Sequence, residues 1–200
     1  TLFMGVPTMY HRLLQAAESG QAQLRTMRLW VSGSAPLATV TFEQFKQKFG
    51  HTVLERYGMS ETGINTSNPL NGERKPGSVG MPLPGVSLHL VSLDDAEVQS
   101  EETEEHVGLK EVEETIEIRE VRPGEVGEVW VKGKNVFQGY WQMPEKTQES
   151  FKDGWFLTGV LGYLDADGYL FLIGRSKDLI ISGGMNVYPK EIEAVIELSS

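Results

Sequence analysis

The chain has 200 residues, of which 40% are hydrophobic and 23% charged, with 22 glycines and no cysteine. That composition excludes a wholly disordered chain and a collagen. It also excludes a disulfide scaffold, a thiolate zinc site and a cysteine nucleophile, and it fits a reducing compartment. The net charge of −10 is concentrated, because residues 94–120 hold 12 Asp and Glu against Lys110 and Arg119, while the rest balances at 16 acids and 16 bases. A balanced main body lacks the basic surface that a nucleic-acid partner requires. No apolar run reaches the roughly 18–20 residues that a membrane-spanning helix needs. The opening TLFMGVPTMY shows no signal or transit peptide.

In chain order, residues 7–19 read as a helix opened by Pro7, with Tyr10, Leu13, Leu14 and Ala17 on one face. Residues 27–32 (MRLWVS) read as a buried strand that breaks at Gly33-Ser34-Ala35-Pro36. A second helix is expected over 38–49, with Gly50 as its stop. The strand HTVLERYG and a turn-rich loop over 59–80 follow. This is an α/β rhythm, and in open α/β sheets ligands bind beyond the strand ends. From about residue 76, VSLHLVS, EVGEVWVKG and GYLFLIG alternate apolar and polar positions between Gly and Pro, as in a small antiparallel region. The acidic stretch 94–120 interrupts it and is read as a solvated excursion. Residues 178–200 offer a short strand, a Gly-Gly turn and an amphipathic helix from Pro189. They are too few to bury a core of their own. The expected division is an α/β part over 1–75, a β subdomain over 76–175, and the start of a second domain over 176–200.

Three clusters could carry chemistry. Ser32 to Pro36 sits at a strand end, where small residues let a flat ligand approach the backbone. A tight turn with a serine helix cap is the alternative. Residues Glu55 to Gly63 gather two carboxylates, a guanidinium, a phenol ring and two hydroxyls in nine positions. Arginine suits a carboxylate or phosphate, the ring can stack, and Glu can help hold Mg²⁺. Gly174-Arg175-Ser176-Lys177-Asp178 before Gly183-Gly184 is the third, and by chemistry alone it reads better as an ordinary charged turn. The four histidines, His11, His51, His89 and His106, lack metal-ligand spacing, and of these His11 is the one weighed as a pocket residue.

LERYGMSETG, PGSVGMPLPGV, GEVGEVWVKGKNVFQGYW, DGWFLTG and DADGYLFLIGRSKDLIISGGMNVYPKEIE occur in this order. Together they resemble the adenylate-forming superfamily of acyl-CoA synthetases, peptide-synthetase adenylation domains and luciferases. VSGSAPL, GHTVLERYGMSETGINTSNPLNGERKPG and NVFQGYWQMPEKT are more narrowly similar to malonyl-CoA synthetases. The resemblance implies the large AMP-binding domain with a small β subdomain, then the start of a small α+β domain. It implies ATP, Mg²⁺ and coenzyme A as cofactors, and a small carboxylate, malonate, as partner. Carried over by position, Gly33, Ser34, Ala35 and Pro36 would flank adenine, with Tyr57 stacked on it and Gly58 beside it. Ser60 would contact the α-phosphate, Glu61 would help place Mg²⁺, and Arg175 would hold the ribose. Lys177 would be the hinge, and Gly183 and Gly184 would line the pantetheine tunnel. Arg56 would hold the free carboxylate of the acid, with Ser32, His11 and Arg12 near it. Medium-chain or aromatic acyl-CoA ligases, and a non-catalytic nucleotide-binding relative, are the alternatives. A cytoplasmic setting is expected, with a mitochondrial one as the alternative because a targeting segment would lie upstream.

Departures from the family pattern matter as much. Where the family has Thr-Gly-Asp, this chain has Thr158-Gly159-Val160. Valine accepts no hydrogen bond from ribose, so weaker nucleotide binding is expected unless a neighbour such as Asp165 substitutes. The upstream phosphate loop and the C-terminal lysine of the family have no counterpart in these residues. They are therefore expected to be an internal fragment without synthetase activity of its own.

Overall fold

The computed structural model describes residues 1–18, 27–92, 121–182, 185–189, 192 and 195–196. The first layer is parallel. Strand β1 (Leu2–Gly5) leads through helix α1 (Pro7–Glu18) to β2 (Leu29–Ser32), and helix α2 (Thr39–Phe49) returns the chain to β3 (Leu54–Met59). Leu2 lies opposite Leu29 and Gly5 opposite Ser32, while Ser32 in turn lies opposite Glu55. The apolar faces of both helices meet β2 in one core. Tyr10 and Leu14 of α1 and Phe42 and Phe45 of α2 pack with Trp30 and Val53, all 8% exposed or less. Tyr10 keeps its phenol satisfied there by donating to the Val31 carbonyl at 2.7 Å. Gly50 ends α2 at φ 70°, donating to the Lys46 carbonyl, a left-handed conformation that glycine adopts without cost.

The sheet then turns antiparallel without a break. β4 (Gly63–Ser67), β5 (Ser78–Pro82), β6 (Val86–Val91), β7 (Gly127–Gly133), β8 (Phe151–Lys152), β9 (Trp155–Leu164) and β10 (Leu170–Arg175) follow, with helix α3 (Pro144–Glu149) before β8. The strand order is β1-β2-β3-β4-β5-β10-β9-β7-β6, with β8 paired to β9. The expected turn-rich loop over 59–80 therefore contains a strand, β4, that the sequence does not announce. Its Thr66 side chain donates to the Val79 carbonyl at 2.8 Å, which lets a polar strand be buried. Pairing changes from parallel to antiparallel between β3 and β4, ahead of residue 76, and the sheet continues past that residue, since Thr66 pairs with Pro82 across it. A second core of Tyr57, Val79, Leu90, Val129, Val131 and Leu170 underlies this half.

Beyond β10 come a single 3₁₀ turn (Ser176–Asp178) and a two-stranded ribbon of β11 (Ile180–Ser182) and β12 (Met185–Val187). Pro189, Ile192, Val195 and Ile196 are helical, as the amphipathic pattern predicts. The acidic segment 94–120 and the Gly183-Gly184 turn lie outside the described residues.

Candidate functional site

A cleft of about 330 Å³ opens where the parallel half of the sheet meets the antiparallel half. Ser34, Ala35 and Pro36, from the turn after β2, form one side. Residues 55–59 of β3 form the floor, and Val160 of β9 with residues 172–175 of β10 form the far wall. Asp178 and Pro189 close the end. Three sequence clusters, the third more than a hundred residues beyond the other two, thus share one cavity, beyond the C-terminal end of a parallel strand.

The turn after β2 is shaped for this. Ser34 adopts φ 71°, one of three non-glycine residues with positive φ among the described residues. It does not cap α2, whose N-cap is Ala38 without a side-chain bond, so the serine-cap alternative is not what the turn is for. Glu55 is 3% exposed and accepts from the Leu37 amide at 3.2 Å, tying the turn to β3. Tyr57 belongs to the second core and to the cleft at once, so its ring is held rigidly. Burial, with a smaller contribution from Glu61, pushes its phenol up to about 12, and contacts to Thr158, Asn65 and Arg175 work the other way. It is a neutral ring at physiological pH, and its hydroxyl donates to Met59 Sδ at 3.2 Å.

Arg56 lines the cleft. Its Nε is buried without a hydrogen-bond partner among the described residues, and so is the Ser32 hydroxyl. A buried donor without an acceptor costs free energy unless a ligand supplies one. Ser32 and Gly33 are buried, Gly33 against Arg56, and neither is among the residues that line the cleft. His11 and Arg12 lie on the exposed side of α1, where His11 bonds with Gln15 at 3.0 Å, and the fold does not bring them to the cleft.

The Thr158-Gly159-Val160 stretch of β9 is clamped from both sides. Thr158 donates to the Val129 carbonyl at 2.6 Å, and Glu128 Oε1 accepts from the Gly159 amide at 2.9 Å. Gly159 sits at φ 64°, and Ser176 Oγ reaches its carbonyl at 3.3 Å. Val160 lies opposite Arg175 in the β9–β10 ladder. Asp165 does not substitute for the missing acid. Its carboxylate bonds with Lys75 at 2.5 Å and accepts from the amides of Asp167 and Tyr169. The carboxylate that does line the cleft beside Val160 and Arg175 is Asp178.

Ser60 is exposed, and Glu61 is half-buried at the loop after β3. Glu61 Oε1 accepts from Tyr140 Oη at 3.1 Å, and the Glu61 carbonyl accepts from the Phe137 amide at 2.7 Å. Asn135 adds a bond to the Thr62 carbonyl at 2.8 Å. Segment 135–140 is therefore a brace for the Glu61 loop. Among the described residues no group of three or more His, Cys, Asp or Glu could hold a metal ion. One carboxylate fits Mg²⁺ that is carried mainly by substrate phosphates. Lys177 is exposed on the 3₁₀ turn. Asn135, Tyr140 and Glu128 carry no sequence signal of their own. For Glu128 the clue is an acid at a position where the alternation of GEVGEVW asks for a neighbour in the core.

The model of the AMP-binding enzyme family matches residues 1–141, and the chain belongs to that family. It shares the α/β fold of the large domain of adenylate-forming enzymes. The long-chain-fatty-acid–CoA ligase of Bacillus subtilis is 38% identical over 197 residues, covering 98% of this chain and 31% of that enzyme. The mitochondrial malonate–CoA ligase of Bos taurus is 39% identical over 211 residues, covering 98% of this chain and 35% of that one. The crystal structure of ATP-bound MatB from Rhodopseudomonas palustris aligns with a TM-score of 0.79 at 48% identity, covering 98% of this chain and 35% of that chain. The chain thus spans about a third of the length of the curated relatives it matches.

Proposed function

We propose that the full-length protein is an ATP-dependent, AMP-forming acid–CoA ligase whose acid is malonate. In the first step a carboxylate oxygen attacks the α-phosphorus of ATP, the bond to the bridging oxygen breaks, and pyrophosphate leaves. In the second the thiol sulfur of coenzyme A attacks the acyl carbon of the adenylate, loses its proton, and AMP departs. Ser34 to Pro36, Tyr57 and Gly58 hold the adenine, with the Tyr57 ring as a stacking face. Arg175 holds the ribose, with Asp178 as an acceptor for a hydroxyl. Ser60 contacts the α-phosphate. Mg²⁺, when bound through Glu61 and the phosphates, offsets the charge that develops at the transferring phosphorus. Lys177 serves as the hinge, and Gly183 and Gly184 leave room for the pantetheine arm.

The observation that carries the substrate is Arg56, a cation on the cleft floor with a buried donor that has no acceptor among the described residues. A guanidinium matches a carboxylate in charge and in geometry. The reacting carboxylate must face the phosphate, so the group that meets Arg56 is a second one. The rival is a ligase for longer monocarboxylic acids. The 38% identity to a long-chain-fatty-acid–CoA ligase favours that reading, as do the apolar Val79, Leu172 and Ile173 in the cleft wall.

Pyrophosphate release by the full-length protein decides between them, comparing malonate, methylmalonate, acetate and a medium-chain acid with and without CoA. Malonate is expected to be preferred, and Arg56→Leu is expected to abolish that preference. Preference for the medium-chain acid, indifferent to Arg56, would overturn the malonate assignment.

A further inference from the structure

Gly33 stands at a place where nothing in its own backbone calls for glycine. Its φ lies outside the left-handed region, so any residue could adopt the conformation. What a side chain would meet there is Arg56. A Cβ at Gly33 would lie 3.3 Å from the Arg56 guanidinium carbon Cζ, and at 3.4 Å, an ordinary contact, from its Cγ and its backbone oxygen. By contrast, a Cβ at Gly174, on the opposite wall of the same cleft, would meet nothing within 4 Å. Gly58, on the cleft floor, is crowded by the Gly63 backbone, whereas at Gly33 the nearest atom is on the side chain of the cation. The strand register explains it. Ser32, the last residue of β2, lies opposite Glu55 in the parallel β2–β3 pair, so Gly33, just past the strand end, runs alongside Arg56 of β3. The Arg56 side chain lies across the bare Gly33 backbone.

We propose that Gly33 is a positioning residue that selects the acid substrate: its missing side chain is the seat of Arg56. The inference rests on the malonate assignment above. With a methyl group at Gly33 the guanidinium must shift by a few tenths of an ångström, and its donors are then misaimed. A misplacement of about 1 Å can cost on the order of a hundredfold in rate, so a shift of this smaller size is expected to cost about tenfold.

The test is steady-state kinetics on the full-length protein with Gly33→Ala, Arg56→Leu and the double variant, measuring KM for malonate and for ATP separately. Gly33→Ala is expected to raise the malonate KM about tenfold while the ATP KM moves less than about twofold. In the Arg56→Leu background the added alanine is expected to change neither, because there is no guanidinium left to displace. A second variant guards against a trivial folding defect. Arg56→Lys combined with Gly33→Ala removes the branched Cζ while keeping the charge, and it is expected to recover part of the malonate KM. Additive effects in the double variant, or a parallel rise in both KM values, would overturn the role of Gly33. If Arg56→Leu alone leaves the malonate KM unchanged, the substrate assignment itself fails, which is a distinguishable result.

Discussion

At Val160 the cleft presents two methyl groups where, under the proposed function, the ribose hydroxyls need acceptors. Asp165 is committed to Lys75, which leaves Asp178 as the carboxylate on that wall. Val160→Asp would add an acceptor opposite Arg175. One recovered hydrogen bond to a buried polar group is worth about 1–3 kcal/mol. The variant of the full-length protein is therefore expected to bind ATP on the order of tenfold more tightly by titration calorimetry. Equal affinities would mean that Asp178 already does the work. Glu128 makes a different prediction. Burial holds its carboxyl above the ordinary value, opposed by the Gly159 amide and then Trp130. A raised acid pKa means that the folded state binds the proton more tightly than the unfolded chain. The associated stability is full below the unfolded value and is lost as pH rises through the folded one. Glu128→Gln keeps an acceptor for Gly159 and removes the ionisation. The variant is expected to melt above the parent at neutral pH, with the gap closing as the buffer approaches about pH 4.

Among the elements, β4 depends most on polar packing. Asn68, at its end, is 2% exposed. Its amide donates to the Glu55 carbonyl at 3.2 Å and to the Ser78 carbonyl at 2.6 Å, and its oxygen accepts from the Lys75 amide at 3.2 Å. One side chain joins β3, β5 and the connecting loop. Asn68→Ala leaves several buried groups unpaired and is expected to cost about 2–4 kcal/mol, read from the denaturant midpoint. The same element shows where the sequence stops being legible. Helices α1 and α2 are readable because Pro7 and Gly50 mark an end of each and their apolar residues recur at helical spacing. β4 reads as loop because Gly63, Asn65 and Ser67 are turn formers, and only the tertiary bonds of Thr66 and Asn68 make burial tolerable. The cleft residues Arg56, Tyr57 and Arg175 are readable as chemistry. The contact between Gly33 and Arg56 is not, since it depends on the register of two strands separated by a whole helix.

On the scale of the whole molecule, contacts across long stretches of chain hold the two halves of the sheet together. Lys75 bonds with Asp165 and Asp167 at 2.5 Å each and lies over the Tyr169 ring. Both carboxylates hold the Lys75 ammonium above its ordinary value. Asp165 is lowered, because the bonds from Lys75 and two amides outweigh its partial burial. Its contribution is present above the unfolded carboxylate value and is lost as pH falls through the depressed one. Lys75→Met is expected to lower the melting temperature at neutral pH and to have no effect in strong acid, as followed by calorimetry across pH. Pairing β5 with β10 has one more consequence, which concerns time. Ser78 Oγ donates to the Leu170 carbonyl at 3.0 Å, 92 positions later. During synthesis from the N-terminus, the turn after β2 and Tyr57 leave the ribosome long before Val160 and Arg175 exist. Until β10 emerges, the nascent protein has only half of the cleft, so the nucleotide of the proposed function cannot act as a template for the early stages of folding.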